Sequence, residues 1–298
     1  MVDARRSCRE PLDGLLVLDK ATGWTSHDVV AKLRGVLGQR RVGHAGTLDP
    51  DATGVLLVGV GRATRLLRFL TALAKTYVGE VVLGAETTTL DAAGEVTATH
   101  DMAGIGLVDV RRAAAGLVGA IEQVPPMVSA VQVGGRRLHE LARAGHVVDR
   151  APRPVTVHRL DVEPTSDPLV FRVEVSCSSG TYVRTLAADM GHALGGGAHL
   201  RALRRTAIGS FSHDEARPVE AVDAAALLTP AQALRDYEAV MVDEATEADV
   251  RHGKVLGPDR LGVAGLGPWP VIDASGNLLA VYEPRPDGRV KPAVVLGP

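Results

Sequence analysis

The chain has 298 residues, 46% hydrophobic and 23% charged, with a net charge of −2, which suits one large and one small domain with a sizeable core. No run approaches 18 apolar residues and the first ten (MVDARRSCRE) lack an apolar core, so neither a membrane span nor a signal peptide is expected and the cytoplasm is the expected compartment. Two cysteines, Cys8 and Cys177, are too few for a disulfide framework and lack zinc-ligand spacing.

Gly14–Asp19 is an apolar run bounded by turn residues, a buried strand. Ser26 is placed to cap a helix whose apolar positions are Val29, Val30, Leu33, Val36 and Leu37, with Gly38 ending it. Gln39–Thr53, punctuated by Gly43, Gly46 and Pro50, reads as a loop. A strand at Val55–Val60, a helix at Ala63–Leu73 and a strand at Tyr77–Leu83 follow. Further strands are expected near Met127–Val133, Val155–Leu160 and Val170–Ser176, and helices near Asp109–Val118 and Thr181–Leu194. Without a regular βαβ period, this is an α+β chain with a mixed sheet.

Charge is segregated along the chain. Residues 1–75 carry 12 Lys and Arg against 7 acids, and residues 111–160 carry 8 Arg against 3 acids. Residues 218–250 carry one Arg against 8 acids. Local basic fields suit a phosphate-bearing partner whatever the total. Arg136–Arg153 reads as a basic excursion from the sheet, and the acidic stretch Asp236–Asp249 as a boundary. Beyond it, Gly and Pro alternate with short apolar runs (Leu278–Val281, Ala293–Leu296), as in a small β-domain.

The stretch that carries chemistry is GHAGTLDPDATG, residues 43–54. Its glycines let the backbone turn tightly, and Pro50 holds Asp49 in an extended conformation just before a strand. That makes a stiff platform for a reactive carboxylate; the bland alternative is an Asx-turn. The residues alone leave open whether Asp49 or Asp51 is the working acid.

The run GHAGTLDPDATGVL resembles the catalytic-aspartate motif of the TruB family of tRNA pseudouridine synthases. Other blocks resemble the family in the same order. They are LVLDKATGWTSHDVV, KTYVGEVVLGAETTTLDAAG, PPMVSAVQVGGRRLHELARAG, CSSGTYVRTLAADMG and GGGAHLRALRRTAIG, and together they span about residues 12–213. The resemblance implies a mixed, largely antiparallel sheet flanked by helices over residues 1–236, with an RNA-binding insertion at about 124–153. ADVRHGKVLG resembles the start of a PUA domain, which implies a small RNA-binding β-barrel over 237–298.

By position, the resemblance implies Asp49 as catalytic aspartate. Tyr77 stacks on the target base and is a candidate proton acceptor. Tyr182 packs beside the aspartate and Arg184 salt-bridges it. His44 occupies the space of the flipped base, Leu203 contacts substrate, and Lys20 and Arg65 contact RNA. The implied partner is the T stem-loop of tRNA, with no cofactor, metal, membrane or obligate protein partner, and a monomer. Ala21 stands where proline is usual, Arg65 where lysine is usual, and Thr88 where an acid is common, although Asp91 is kept.

Three rival readings compete. A non-catalytic RNA-binding or RNA-folding protein would need the basic face but not Asp49 on a rigid loop. A metal-dependent hydrolase would use His44, Asp49 and Asp51, whose spacing matches no ligand motif. A dinucleotide-binding enzyme would need G-x-G-x-x-G after a strand, which neither Gly59–Gly61 nor Gly195–Gly197 completes.

Overall fold

The computed structural model describes residues 12–129, 132–133, 135–138 and 148–296. In chain order the elements are β1 (Gly14–Lys20), α1 (Ser26–Leu37), β2 (Val42–Ala45), β3 (Thr53–Val60), a 3-10 turn (Gly61–Leu66), α2 (Leu67–Ala72), β4 (Lys75–Leu83), β5 (Ala85–Thr87) and β6 (Val96–Thr99). Then come α3 (Leu107–Ala115), β7 (Gly119–Gln123), β8 (Gln132–Val133), β9 (Arg136–Arg137), β10 (Arg153–Pro164), β11 (Val170–Cys177), α4 (Val183–Ala193), β12 (Ala198–Ile208), β13 (Phe211–Ser212) and β14 (Arg217–Pro218). The last part holds β15 (Val240–Met241), α5 (Glu244–Arg251), α6 (Pro258–Leu261), β16 (Trp269–Ile272), β17 (Leu278–Pro284) and β18 (Val290–Val295).

The chain divides into two compact units, one drawn from Met1–Pro50, Val55–Thr71 and Gly209–Pro298, the other from Asp51–Gly54 and Ala72–Ile208. It passes from the first to the second directly after Pro50. In the first unit β1 pairs in parallel with β14, and β2 runs antiparallel to β3 with His44 opposite Val58. The true N-cap of α1 is Thr25: its hydroxyl accepts from the Asp28 amide and the Asp28 carboxylate accepts from the Thr25 amide. Ser26, expected as the cap, is instead the first helical residue and is buried. Leu16, Leu18, Val29, Val30, Leu33, Leu56, Val58 and Val60 form the core, while Val36, expected on the inner face, is 43% exposed.

The first unit also contains the four-stranded sheet β15-β16-β17-β18, parallel at β15–β16 and antiparallel elsewhere. It packs on Val250, Leu261, Trp269 and Val271, and the buried Tyr282 hydroxyl donates to the Lys254 carbonyl at 2.9 Å. Polar ties join it to the stretch around α2: Arg65 donates to the Val295 carbonyl, Arg68 pairs with Glu283, and the Tyr237 hydroxyl donates to the Phe69 carbonyl.

In the second unit the strand order is β12-β4-β11-β10-β7, antiparallel throughout. The first residues of β3, Thr53 and Gly54, join in parallel to Arg204 and Arg205 of β12. The apolar face (Val81, Leu83, Val173, Val175, Leu200) is covered by α3 and α4 through Val110, Ala114, Val183, Leu186 and Met190. β7, β9 and β12 were not expected as strands, whereas β8 lies at the end of the strand expected near Met127–Val133; much of the basic excursion at 136–153, residues 139–147, lies outside the described residues.

Gly54 is where β3 meets β12. Its φ is +102°, and a Cβ there would stand 2.1 Å from the Arg205 carbonyl oxygen. Backbone, not a flexible side chain, fills the space, so Gly54→Ala combines strain with a clash. It is expected to destabilise by about 2 kcal/mol or more in urea unfolding.

Candidate active site

Asp49 sits on the loop between β2 and β3, and both of its neighbours are tied down. The Ser26 hydroxyl accepts from the Leu48 amide at 3.0 Å and donates to the Leu48 carbonyl at 3.2 Å, so one side chain satisfies both polar groups of the residue before the aspartate. On the other side the Pro50 carbonyl accepts from the Gly23 amide (2.9 Å) and from the Lys20 ammonium (3.1 Å). Lys20 also donates to the carbonyls of Trp24 (2.7 Å) and Ala21 (3.0 Å) and is fully buried at the end of β1. Lys20, expected at the RNA, is therefore seen bracing the loop: an ammonium with no exposed surface cannot meet a phosphate. Ala21, where proline is usual, leaves this turn intact because Lys20 holds its carbonyl.

His44 lies on β2 and is half-buried, and its ring meets that of His27, on the first turn of α1, edge-on at 5.3 Å. Arg65, expected at the RNA, has one guanidinium nitrogen on the Val295 carbonyl.

The second unit carries the remaining expected residues. Tyr77, on β4, packs half-buried against the core beneath α4, opposite Val175 of β11 and Arg205 of β12. Leu203 packs on the same core, just past a bulge where Ala202 takes φ +54°. Gly79 opposite makes the room: a Cβ there would lie 3.4 Å from a Leu203 methyl. Tyr182 is the N-cap residue of α4, and the buried Gln123 side chain clasps its backbone, accepting from its amide at 2.7 Å and donating to its carbonyl at 3.1 Å. Nothing in the sequence singled out Gln123.

Arg184, the second residue of α4, is 5% exposed. Nη1 donates to the Thr89 carbonyl and to Oδ2 of Asp91, both at 3.1 Å, and Nη2 to the Val128 carbonyl at 2.9 Å. Oδ1 of Asp91 is held in turn by the Thr89 hydroxyl and the Ala93 amide. Asp91 thus orients the arginine. Thr88, the departure noted above, engages elsewhere: its hydroxyl accepts from the Glu95 amide within the β5–β6 turn. Among the described residues no three His, Cys, Asp or Glu side chains come together to hold a metal ion, and no helix is long and apolar enough to cross a membrane.

Buried titratable groups lie close to Tyr77. Burial pushes Lys75 down to about 8, with the Arg205 charge adding and Cys177 opposing. Burial pushes the free thiol of Cys177 up to about 11, opposed by a hydrogen bond from Thr181 and by Lys75.

The model described as TruB family pseudouridylate synthase (N terminal domain) matches residues 34–183, and that described as tRNA pseudouridylate synthase B C-terminal domain matches residues 184–241. The chain is 46% identical over 295 residues to tRNA pseudouridine synthase B of Nocardia farcinica (strain IFM 10152), covering 97% of this chain and 95% of that protein. It is 43% identical over 300 residues to tRNA pseudouridine synthase B of Arthrobacter sp. (strain FB24), covering 96% and 97%. Among solved structures it superposes on a chain from the crystal structure of a Cbf5-Nop10-Gar1 complex with a TM-score of 0.71 and 26% identity, covering 91% of this chain and 78% of that one. The chain belongs to the TruB family.

Two outcomes test the site. Ser26→Ala leaves the Leu48 amide without its acceptor and should cost about 1–3 kcal/mol in stability; calorimetry reads this directly. The pH dependence of stability follows from Lys75 and Cys177. Lys75 is pushed below the usual 10.5, so the unfolded chain binds the extra proton between pH 8 and 10.5 and stability rises through that window. Cys177 is pushed above the usual 9.0, so the folded chain keeps its proton and stability falls from pH 9 to 11. The melting temperature should therefore rise from pH 8 to 9 and then level, whereas Cys177→Ala should let the rise continue to about 10.5.

Proposed function

We propose that the protein isomerises the T-loop uridine of tRNA to pseudouridine, as a cytoplasmic monomer needing no cofactor and no obligate protein partner. The observation that carries this reading is the braced loop: Leu48 and Pro50 are both pinned, which fixes the backbone from which the Asp49 carboxylate projects. A protein that only bound RNA would have no use for so rigid a carboxylate.

In this reading the uridine is extruded from the loop, at a cost of a few kcal/mol. Stacking on Tyr77 returns about 1–3 kcal/mol, and His44 fills the place the base leaves. Asp49 promotes cleavage of the C1′–N1 bond, whose electron pair leaves with the uracil as a ring anion. The positive charge of Arg184 favours the ionised form of Asp49, and Asp91 and Tyr182 steady the surrounding groups. The uracil turns and its C5 bonds to C1′. The hydrogen on C5 then leaves as a proton to the Tyr77 oxygen, its bonding pair restores the C5=C6 bond, and N1, left anionic, takes a proton from water. Nothing enters or leaves overall, so the reaction needs no metal, nucleotide or redox group.

Recognition in this scheme rests on RNA shape, stacking and phosphate contacts. The insertion at about 124–153 and a PUA-like module over 237–298 are proposed to add to that grip, Leu203 to line the substrate, and Arg65 to reach phosphate once released from Val295.

The test is pseudouridine mapping on an unmodified tRNA transcript incubated with purified protein in the presence of a chelator. Asp49→Asn should lower the rate by about 10³-fold or more while tRNA affinity stays within about threefold. Equal pseudouridine formation by the variant would remove Asp49 as the working acid, and a wild type that forms none would leave the binding-protein reading.

A further inference from the structure

Three side chains share one face of the sheet in the second unit. Tyr77 and Lys75 are two residues apart on β4, the spacing that puts side chains on the same face. Arg205 stands directly opposite Tyr77 on β12, and directly opposed residues of an antiparallel pair project to the same side with Cβ atoms about 5 Å apart. Both cations are buried, Lys75 at 5% and Arg205 at 1% exposure. Neither can reach the RNA backbone, so the common use of Lys and Arg in an RNA-binding protein does not explain them. Among the groups facing Lys75 are Cys177, opposite it on β11, and Arg205 on β12; the ammonium donates to the Leu73 carbonyl at 2.7 Å. Burial is the larger cause of the drop of Lys75 to about 8, and the neighbouring Arg205 charge adds to it; placing a second cation beside a buried arginine is costly. Filling this position with Met or Leu would remove it.

We propose that Lys75, backed by Arg205, is a positioning residue for Tyr77: the two buried cations favour the phenolate, so that Tyr77 can take the C5 proton in the last step. The inference rests on the reading of Tyr77 as the proton acceptor. Its physical content is that a buried cation on the same face of the sheet stabilises the ionised form of an acid. A phenol of ordinary pKa is almost wholly protonated at neutral pH and makes a scarce base; lowering its pKa toward the working pH raises the rate. Lys75 acts through Tyr77 and touches no substrate, so it should alter the chemical step and leave binding alone.

The experiment measures single-turnover pseudouridine formation on tRNA between pH 6 and 10 for the wild type, Lys75→Met, Lys75→Gln, Lys75→Arg and Tyr77→Phe, with far-UV circular dichroism to confirm folding. The Met and Gln variants should lose about tenfold or more at pH 7, and the rise of rate with pH should move up by about one unit or more. Their tRNA affinity should stay within about twofold, and RNA deuterated at uracil C5 should reveal a primary isotope effect. Lys75→Arg should stay within about threefold of the wild type across the range. Adding Lys75→Met to Tyr77→Phe should cost nothing further. An unshifted pH profile in both neutral variants, or an added loss in the double variant, overturns the proposal. Full activity of Tyr77→Phe overturns it too, by removing Tyr77 as the proton acceptor. A wild type that forms no pseudouridine at any pH would instead sink the function proposed above.

Discussion

The ammonium of Lys20 is the contact on which the loop that carries Asp49 depends. A buried cation is tolerable only when its hydrogens meet acceptors, and here they meet three backbone carbonyls. Two belong to the turn after β1 and one to Pro50, thirty residues further along the chain. The strand end, the turn and the loop thereby become one polar cluster with no exposed surface at its centre. Ser26 adds the second anchor from α1, so the residue on each side of Asp49 is held from a different element. A carboxylate on such a support has one backbone conformation available, which is what positioned chemistry requires.

Much of this was legible in the sequence, and the failures have physical reasons. The loop itself announced its stiffness through Gly43, Gly46 and Pro50. Thr25 and Ser26 are both good cap residues, so residue type alone does not place the start of α1. The capping box decides between them: counting three on from Thr25 gives Asp28, whereas three on from Ser26 gives Val29. β12 escaped because Arg201, Arg204 and Arg205 break the alternation of a strand, and because the bulge at Ala202 shifts its register midway. Lys20 is a different failure. A lysine after an apolar run looks like the exposed end of a strand, and only the folded turn supplies the carbonyls that make its burial possible.

The second unit repeats the same device with other side chains. Gln123 holds both polar backbone groups of Tyr182, as Ser26 holds both of Leu48. Arg184 gathers the Thr89 and Val128 carbonyls and the Asp91 carboxylate, from two segments far apart in the chain. In each case a side chain satisfies backbone groups that irregular structure would otherwise leave unpaired. These residues look ordinary in the sequence because their value lies in loops whose hydrogen-bonding needs appear only on folding.

This explains why the site is rich in buried polar groups, where an apolar core would be cheaper to build. A hydrophobic contact is non-directional and would let the loop around residues 46–52 or the start of α4 shift by an ångström at little cost. A hydrogen-bonded clasp tolerates no such shift without leaving a buried donor or acceptor unmet, at about 1–3 kcal/mol each. Several clasps acting on consecutive residues raise that cost together. The backbone geometry at Asp49 and at Tyr182 is thus set, each within its own unit, by the penalty for leaving it, and the price in desolvation is borne by Lys20 in the first unit and by Gln123 and Arg184 in the second.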